Sequence, residues 1–123
     1  MTVTYLYKDR FIEVTPTELT IKNYSTFFRK KRVQLKEVRA VYYKKQKWLS
    51  NTFVVSRHGW ARVDTWWAHD MERNTPSSSH YNVVIRTNSS IKKGFTVTDI
   101  ERFLAAMTEV LEANVPIKNS LHY

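Results

Sequence analysis

Polar and apolar positions alternate through most of the chain, and the period changes only near its end. Ile12 and Val14 flank Glu13, and Leu19 and Ile21 flank Thr20. A period of two sends one set of side chains to a buried face and the other to solvent, as in a half-buried strand. Thr15, Pro16 and Thr17 separate the two runs and signal a turn. The pattern predicts an opening hairpin that pairs 10–14 with 18–23. Residues 31–35 alternate again, with Val33 and Leu35 inward. Lys36 and Glu37 mark a turn or bulge, and 38–45 form the next strand. Beyond it the pattern predicts a short strand over 52–56, a turn at Arg57, His58 and Gly59, one strand over 60–69, and a strand over 81–87. Asn88, Ser89 and Ser90 form a turn before a last short strand around Phe95, Thr96 and Val97. Residues 70–79 are poor in apolar side chains and rich in Ser, which predicts an exposed, mobile loop.

After Thr98 the period becomes helical. Ile100, Phe103, Leu104, Met107, Val110 and Leu111 share one stripe. Thr98 followed by Glu101 has the spacing of a capping box, in which each side chain satisfies a free backbone amide. Asn114 suits a left-handed helix end and Pro116 stops the helix. The expectation is an α-helix over about 98–113 and an irregular tail over about 117–123. So short a helix is unstable alone in water and must lay its stripe on the sheet rather than on a partner. The fold class is therefore α+β, with about seven antiparallel strands capped by one C-terminal amphipathic helix. No linker or repeat divides the chain, so 1–123 reads as a single domain.

Composition narrows the chemistry. The 123 residues contain no Cys, which removes disulfides and thiol or zinc–thiolate chemistry. Aromatic residues make up 14%, a level suited to a β-rich interior. The first residues lack a basic start followed by an apolar run, and no segment approaches the roughly 20 apolar residues needed to cross a bilayer. The expected location is cytoplasmic.

The order and spacing of these elements resemble a small bacterial-type pleckstrin-homology-like (PH-like) domain. The resemblance rests on the opening hairpin, the basic strand ending in Leu35, Lys36, Glu37 and Val38, the strand with Trp66 and Trp67, and Phe95, Thr96 and Val97 leading into the helix. It implies a split barrel of two near-orthogonal antiparallel sheets with the helix at one end, used as a binding scaffold and not as an enzyme. A lipocalin-like or other small barrel is the structural alternative. In lipid-binding members, basic residues of the loop joining the first two strands hold phosphates. Here that loop is Thr15, Pro16 and Thr17, short and uncharged. Bacterial relatives often form oligomers.

Charge is concentrated in one place. The chain carries a net +9, and residues 29–47 contain nine Lys or Arg against one acid, Glu37. Arg29, Lys30, Lys31, Arg32, Lys44, Lys45 and Lys47 are candidate anion-binding residues. The alternative is a solvated sheet edge whose charges prevent edge-to-edge aggregation. Strand alternation should divide these charges between faces and across two strands.

Trp48, Trp66 and Trp67 are candidate interface residues. Trp66 and Trp67 are adjacent and must face opposite ways, so one is core and the other is exposed or covered by a partner. His69 and Asp70, with His58 or His80, match no metal-ligand spacing, so no metal is expected. Ser77, Ser78 and Ser79 beside His80 lack a rigid orienting acid, so no catalysis and no cofactor is expected.

The resulting expectation is a non-enzymatic module acting through protein–protein contact or self-association. The alternative is binding of anionic lipid headgroups or nucleic acid through 29–47.

Overall fold

The structure is a computed structural model that describes residues 2–26, 29–47, 55–76 and 78–122. Two side-chain-closed turns set up its first sheet. The Asp9 carboxylate accepts hydrogen bonds from the N–H groups of Phe11 (2.7 Å) and Ile12 (2.9 Å), turning β1 (Tyr7–Lys8) into β2 (Ile12–Val14). The Thr15 hydroxyl accepts from the Glu18 N–H (3.2 Å) and turns β2 into β3 (Glu18–Lys22). The hairpin expected from the alternation forms, with Ile12 opposite Ile21 and Val14 opposite Leu19. These four side chains are completely buried. β4 (Lys30–Gln34) adds antiparallel to β3, giving the order β1-β2-β3-β4.

A short 3-10 helix, Leu35–Glu37, carries the chain into a second sheet. This sheet contains β5 (Ala40–Lys45), β6 (Gly59–Ala61), β7 (Thr65–Trp67), β8 (Tyr81–Arg86), β9 (Lys92–Val97) and β10 (Ile117–Lys118). Its order is β10-β5-β8-β9-β7-β6, and the β7–β9 and β10–β5 pairs are parallel. The fold is α+β, as expected, but ten strands lie among the described residues rather than about seven. They form two separate sheets, one of them mixed, with no pairing that closes a barrel among the described residues.

Three local expectations fail for identifiable reasons. The single strand expected over 60–69 is a hairpin that reverses between β6 and β7. Arg62 adopts left-handed backbone there (φ 54°), a conformation no glycine or proline advertises. The expected irregular tail instead pairs Ile117 and Lys118 with Val41 and Tyr42, and buries Leu121. Two residues are too few to show a period. The helix α1 spans Ile100–Val110, and its cap is Asp99, whose carboxylate accepts from the Arg102 N–H (3.2 Å). Thr98 cannot cap because its N–H and hydroxyl are both turned to the Asp9 carboxylate. The helix ends on extended backbone at Leu111, and Asn114 is not left-handed. The strand expected over 52–56 lies mostly outside the described residues.

One core joins the three layers. Ile12, Val14, Leu19, Ile21 and Val33 face Val41, Val83, Ile85, Phe95 and Val97 across the sheets, and Phe103, Ala106 and Met107 of α1 complete it. The Phe103 ring meets Tyr7 of one sheet and Phe95 of the other, both edge-on (5.7 and 6.0 Å between ring centres). The outer face of the second sheet is also covered, by a smaller cluster of Ala61, Trp67, Val84 and Leu121. Trp67 pairs with Gly94, and its indole lies directly on that glycine.

Two predictions follow from this packing. A Cβ at residue 94 would stand 2.3 Å from the Trp67 ring. Gly94→Ala should lower unfolding free energy in urea by about 1–3 kcal/mol, the usual cost of overpacking; an unchanged midpoint would show that the indole shifts freely. The Tyr7 hydroxyl donates to Asp9 (2.5 Å) and accepts from the Asp99 N–H (3.1 Å). Burial, then the Asp9 hydrogen bond, push its pKa from 10.0 up to about 12. A raised folded-state value means stability that is complete below pH 10 and lost as pH rises toward 12. The stability difference between wild type and Tyr7→Phe should therefore narrow over that window. A difference constant from pH 9 to 12 would contradict this linkage.

Candidate functional site

Strand alternation splits the basic stretch. Lys30 and Arg32 point out from β4, opposite Lys22 and Thr20 of β3. The nearby acids on that face already have partners: Glu13 is shared by Lys22 (3.3 Å) and Lys8 (3.7 Å), and Glu18 accepts from the Gln34 amide (3.2 Å). Among the described residues Lys30 and Arg32 have no ion pair, so this face keeps its positive charge.

Lys31 points the other way, is half-buried, and adds to the positive field at Lys93. Lys93 is buried and donates to the Ile91 carbonyl (3.0 Å). Desolvation, reinforced by Lys31 and opposed by Glu37, holds it below the usual lysine range. Lys44 and Lys45 belong to the second sheet, opposite Asn82 and Tyr81, and Lys47 follows them. Asn82 is paired with Thr96, near the far end of β9 from Lys93. The candidate cations therefore fall into two groups on two sheets, not one patch.

The tryptophans are also redistributed. Trp67 is sealed in the outer cluster with no exposed surface. Trp66 is half-buried, and its indole N–H donates to the Tyr24 carbonyl (2.7 Å). Trp67 is the core member of the pair, as the alternation requires, and Trp66 on the opposite side is half-buried by neighbours of its own chain rather than fully exposed. Trp48 lies outside the described residues. Among the described residues the exposed indole is Trp60, 53% accessible, standing edge-on to Trp66 at 5.3 Å and 89°. Sequence reasoning missed it because the hairpin places residues 60 and 66 side by side on neighbouring strands.

The same hairpin gathers two histidines. The His58 ring is edge-on to Trp66 (5.9 Å) and to His69 (5.4 Å). Asn23, Ser25, Thr26 and Arg29 join them around an open recess of about 380 Å³. His80 lies apart, against Phe11. The Ser78 hydroxyl donates to the Gln46 amide oxygen and accepts from the backbone N–H of His80, so it does not address the imidazole. Among the described residues no three His, Asp or Glu side chains gather as a metal site.

The loop expected to be exposed over 70–79 is largely exposed at its described residues, but Asp70 and Arg73 anchor it in the interior. Arg73 is 1% accessible. Its guanidinium donates to the carbonyls of Ser56 (2.6 Å) and Ala68 (3.0 Å), to Asn82 (3.0 Å) and to the Thr96 hydroxyl (2.9 Å). It also lies over the Trp67 ring at 4.7 Å. Asp70 is buried beside it and accepts from Thr96 (2.6 Å), while the Gln46 amide donates to Asn82 (3.0 Å). Burial draws the guanidinium down to about 10, against the opposing charge of Asp70. Among the described residues every buried side-chain nitrogen and oxygen has a partner. The cluster is an internal clamp, and its partners come from segments too distant in sequence to form a motif.

Comparison of the chain with protein-family models, with curated proteins and with solved structures finds no match.

Proposed function

We propose that the protein is a non-enzymatic, PH-like binding module that acts in the cytoplasm through contact with another protein or a second copy of itself. The observation that carries this reading is Trp60. An indole held against Trp66 yet more than half accessible is already ordered, so covering it costs little side-chain entropy. Among the described residues β6 is an edge strand of its sheet, and Val63, at the turn, is 96% accessible. The PH-like reading draws on the element order, the two sheets around a shared core and the terminal helix packed between them.

Trp60→Ser should leave the unfolding temperature nearly unchanged and weaken association about thirtyfold or more, as loss of an aromatic anchor does. Light scattering during size-exclusion chromatography tests self-association, and affinity capture with both proteins tests a partner. A wild-type protein that stays monomeric at roughly tens of micromolar, and retains the same proteins as Trp60→Ser, would overturn the reading.

A second reading is favoured by the charge on β4 that has no ion pair among the described residues: binding of anionic lipid headgroups or nucleic acid through Lys30 and Arg32. Wild type should be retained on anionic vesicles or oligonucleotides at low salt and released as salt rises. The Lys30→Glu, Arg32→Glu double variant should lose that retention. Equal retention of both proteins would reduce the face to a charged edge that blocks aggregation.

A further inference from the structure

We propose that the recess formed by Asn23, Ser25, Thr26, Arg29, His58 and His69 is a binding site for a phosphate group, free or as a monoester. This rests on the anionic-ligand reading but places the ligand on another surface, with only Arg29 drawn from the basic stretch.

The recess lies where the two sheets meet, and two hydrogen bonds fix its walls. The His69 N–H donates to the Asn23 carbonyl (2.9 Å), and the Trp66 indole donates to Tyr24 (2.7 Å). The loop between them is closed by the Tyr24 N–H on the Arg29 carbonyl (3.2 Å). Asn23 adopts left-handed backbone (φ 52°) at the exit of β3, a conformation that asparagine tolerates better than most residues.

Among the described residues the recess is lined by Arg29, His58, His69, Asn23, Ser25 and Thr26, and by no acidic residue. They arrive from three separate segments: the loop after β3, the approach to β6 and the exit of β7. A tetrahedral oxyanion presents oxygens in several directions and can use donors so dispersed. A planar carboxylate offers two oxygens on one side. The charged groups around the histidines add to this. Arg29 lines the same recess from the loop. Arg57, beside His58, turns its guanidinium to the Arg73 carbonyl (3.1 Å). Asp70, beside His69, is buried in the clamp with Thr96 and Gln46, so its charge points away from the recess. The volume, about 380 Å³, falls within the range of small-ligand clefts. It leaves room for the substituent of an ester.

The chain contains four histidines, and His80 and His122 lie outside the recess. Their imidazole carbon-bound protons serve as internal controls in an NMR titration of the whole chain with inorganic phosphate and with glycerol phosphate at fixed pH and low salt. The His58 and His69 signals should move saturably while those of His80 and His122 stay in place. Arg29→Gln, an exposed substitution, should weaken the response at least about tenfold, the usual scale for a hydrogen bond to a charged group, with unfolding unchanged. Tighter binding of glycerol phosphate would point to an ester such as a lipid headgroup, and tighter binding of inorganic phosphate to the free ion. A recess response that survives Lys30→Glu, Arg32→Glu keeps this site separate from the β4 face, whatever the vesicles show. No saturable movement below about 50 mM, four histidines moving together, or an Arg29→Gln titration identical to wild type would overturn the proposal.

Discussion

The outer face of the second sheet depends on one stack: the Trp67 indole on Gly94, and the Arg73 guanidinium over that indole. A buried guanidinium is expensive to desolvate, by several kcal/mol before compensation. Here four acceptors and an aromatic face offset that cost. The consequence is architectural. A sheet with one face in the main core would ordinarily leave the other wet. Here the middle of that outer face is covered as well, by Trp67, Val84, Ala61 and Leu121, with the loop carrying Asp70 and Arg73 tied down over Trp67.

The stack also decides what is left for binding. With Trp67 committed outward and buried, alternation turns Trp66 toward the opposite side, where it meets Tyr24, His58 and Trp60. The half-buried indole thus becomes a platform for its neighbours rather than an anchor itself. Trp60 stands on it at the sheet edge, and His58 leans on it at the recess. The two surfaces share one support, Trp66.

Much of the frame was legible from local pattern. The first hairpin and the apolar stripe of α1 each show a period long enough to read, and each turns its apolar face to the core, whereas β8 was legible as a β-branched run buried on both faces. What failed is equally specific. The Thr98 and Glu101 pair has the spacing of a capping box, yet a carboxylate from residue 9 claims Thr98 first. The 60–69 run lacks glycine or proline at its reversal, so the turn at Arg62 is silent in the sequence. The loop over 70–79 is largely exposed as read, but the burial of Asp70 and Arg73 within it was silent, because hydropathy cannot distinguish a side chain facing water from one whose every donor is satisfied inside.

By itself the sequence determined the fold class, the inward faces of the regular strands and helix, and a surplus of positive charge centred on 29–47. These depend on neighbours two, three or four residues apart. The tertiary structure alone decided that this charge divides between two sheets, that Trp60 rather than Trp66 or Trp67 is the exposed indole, and that Arg29, His58 and His69 share a recess. Each depends on pairing between segments far apart in the chain, where register and packing, not local periodicity, select which side chains meet.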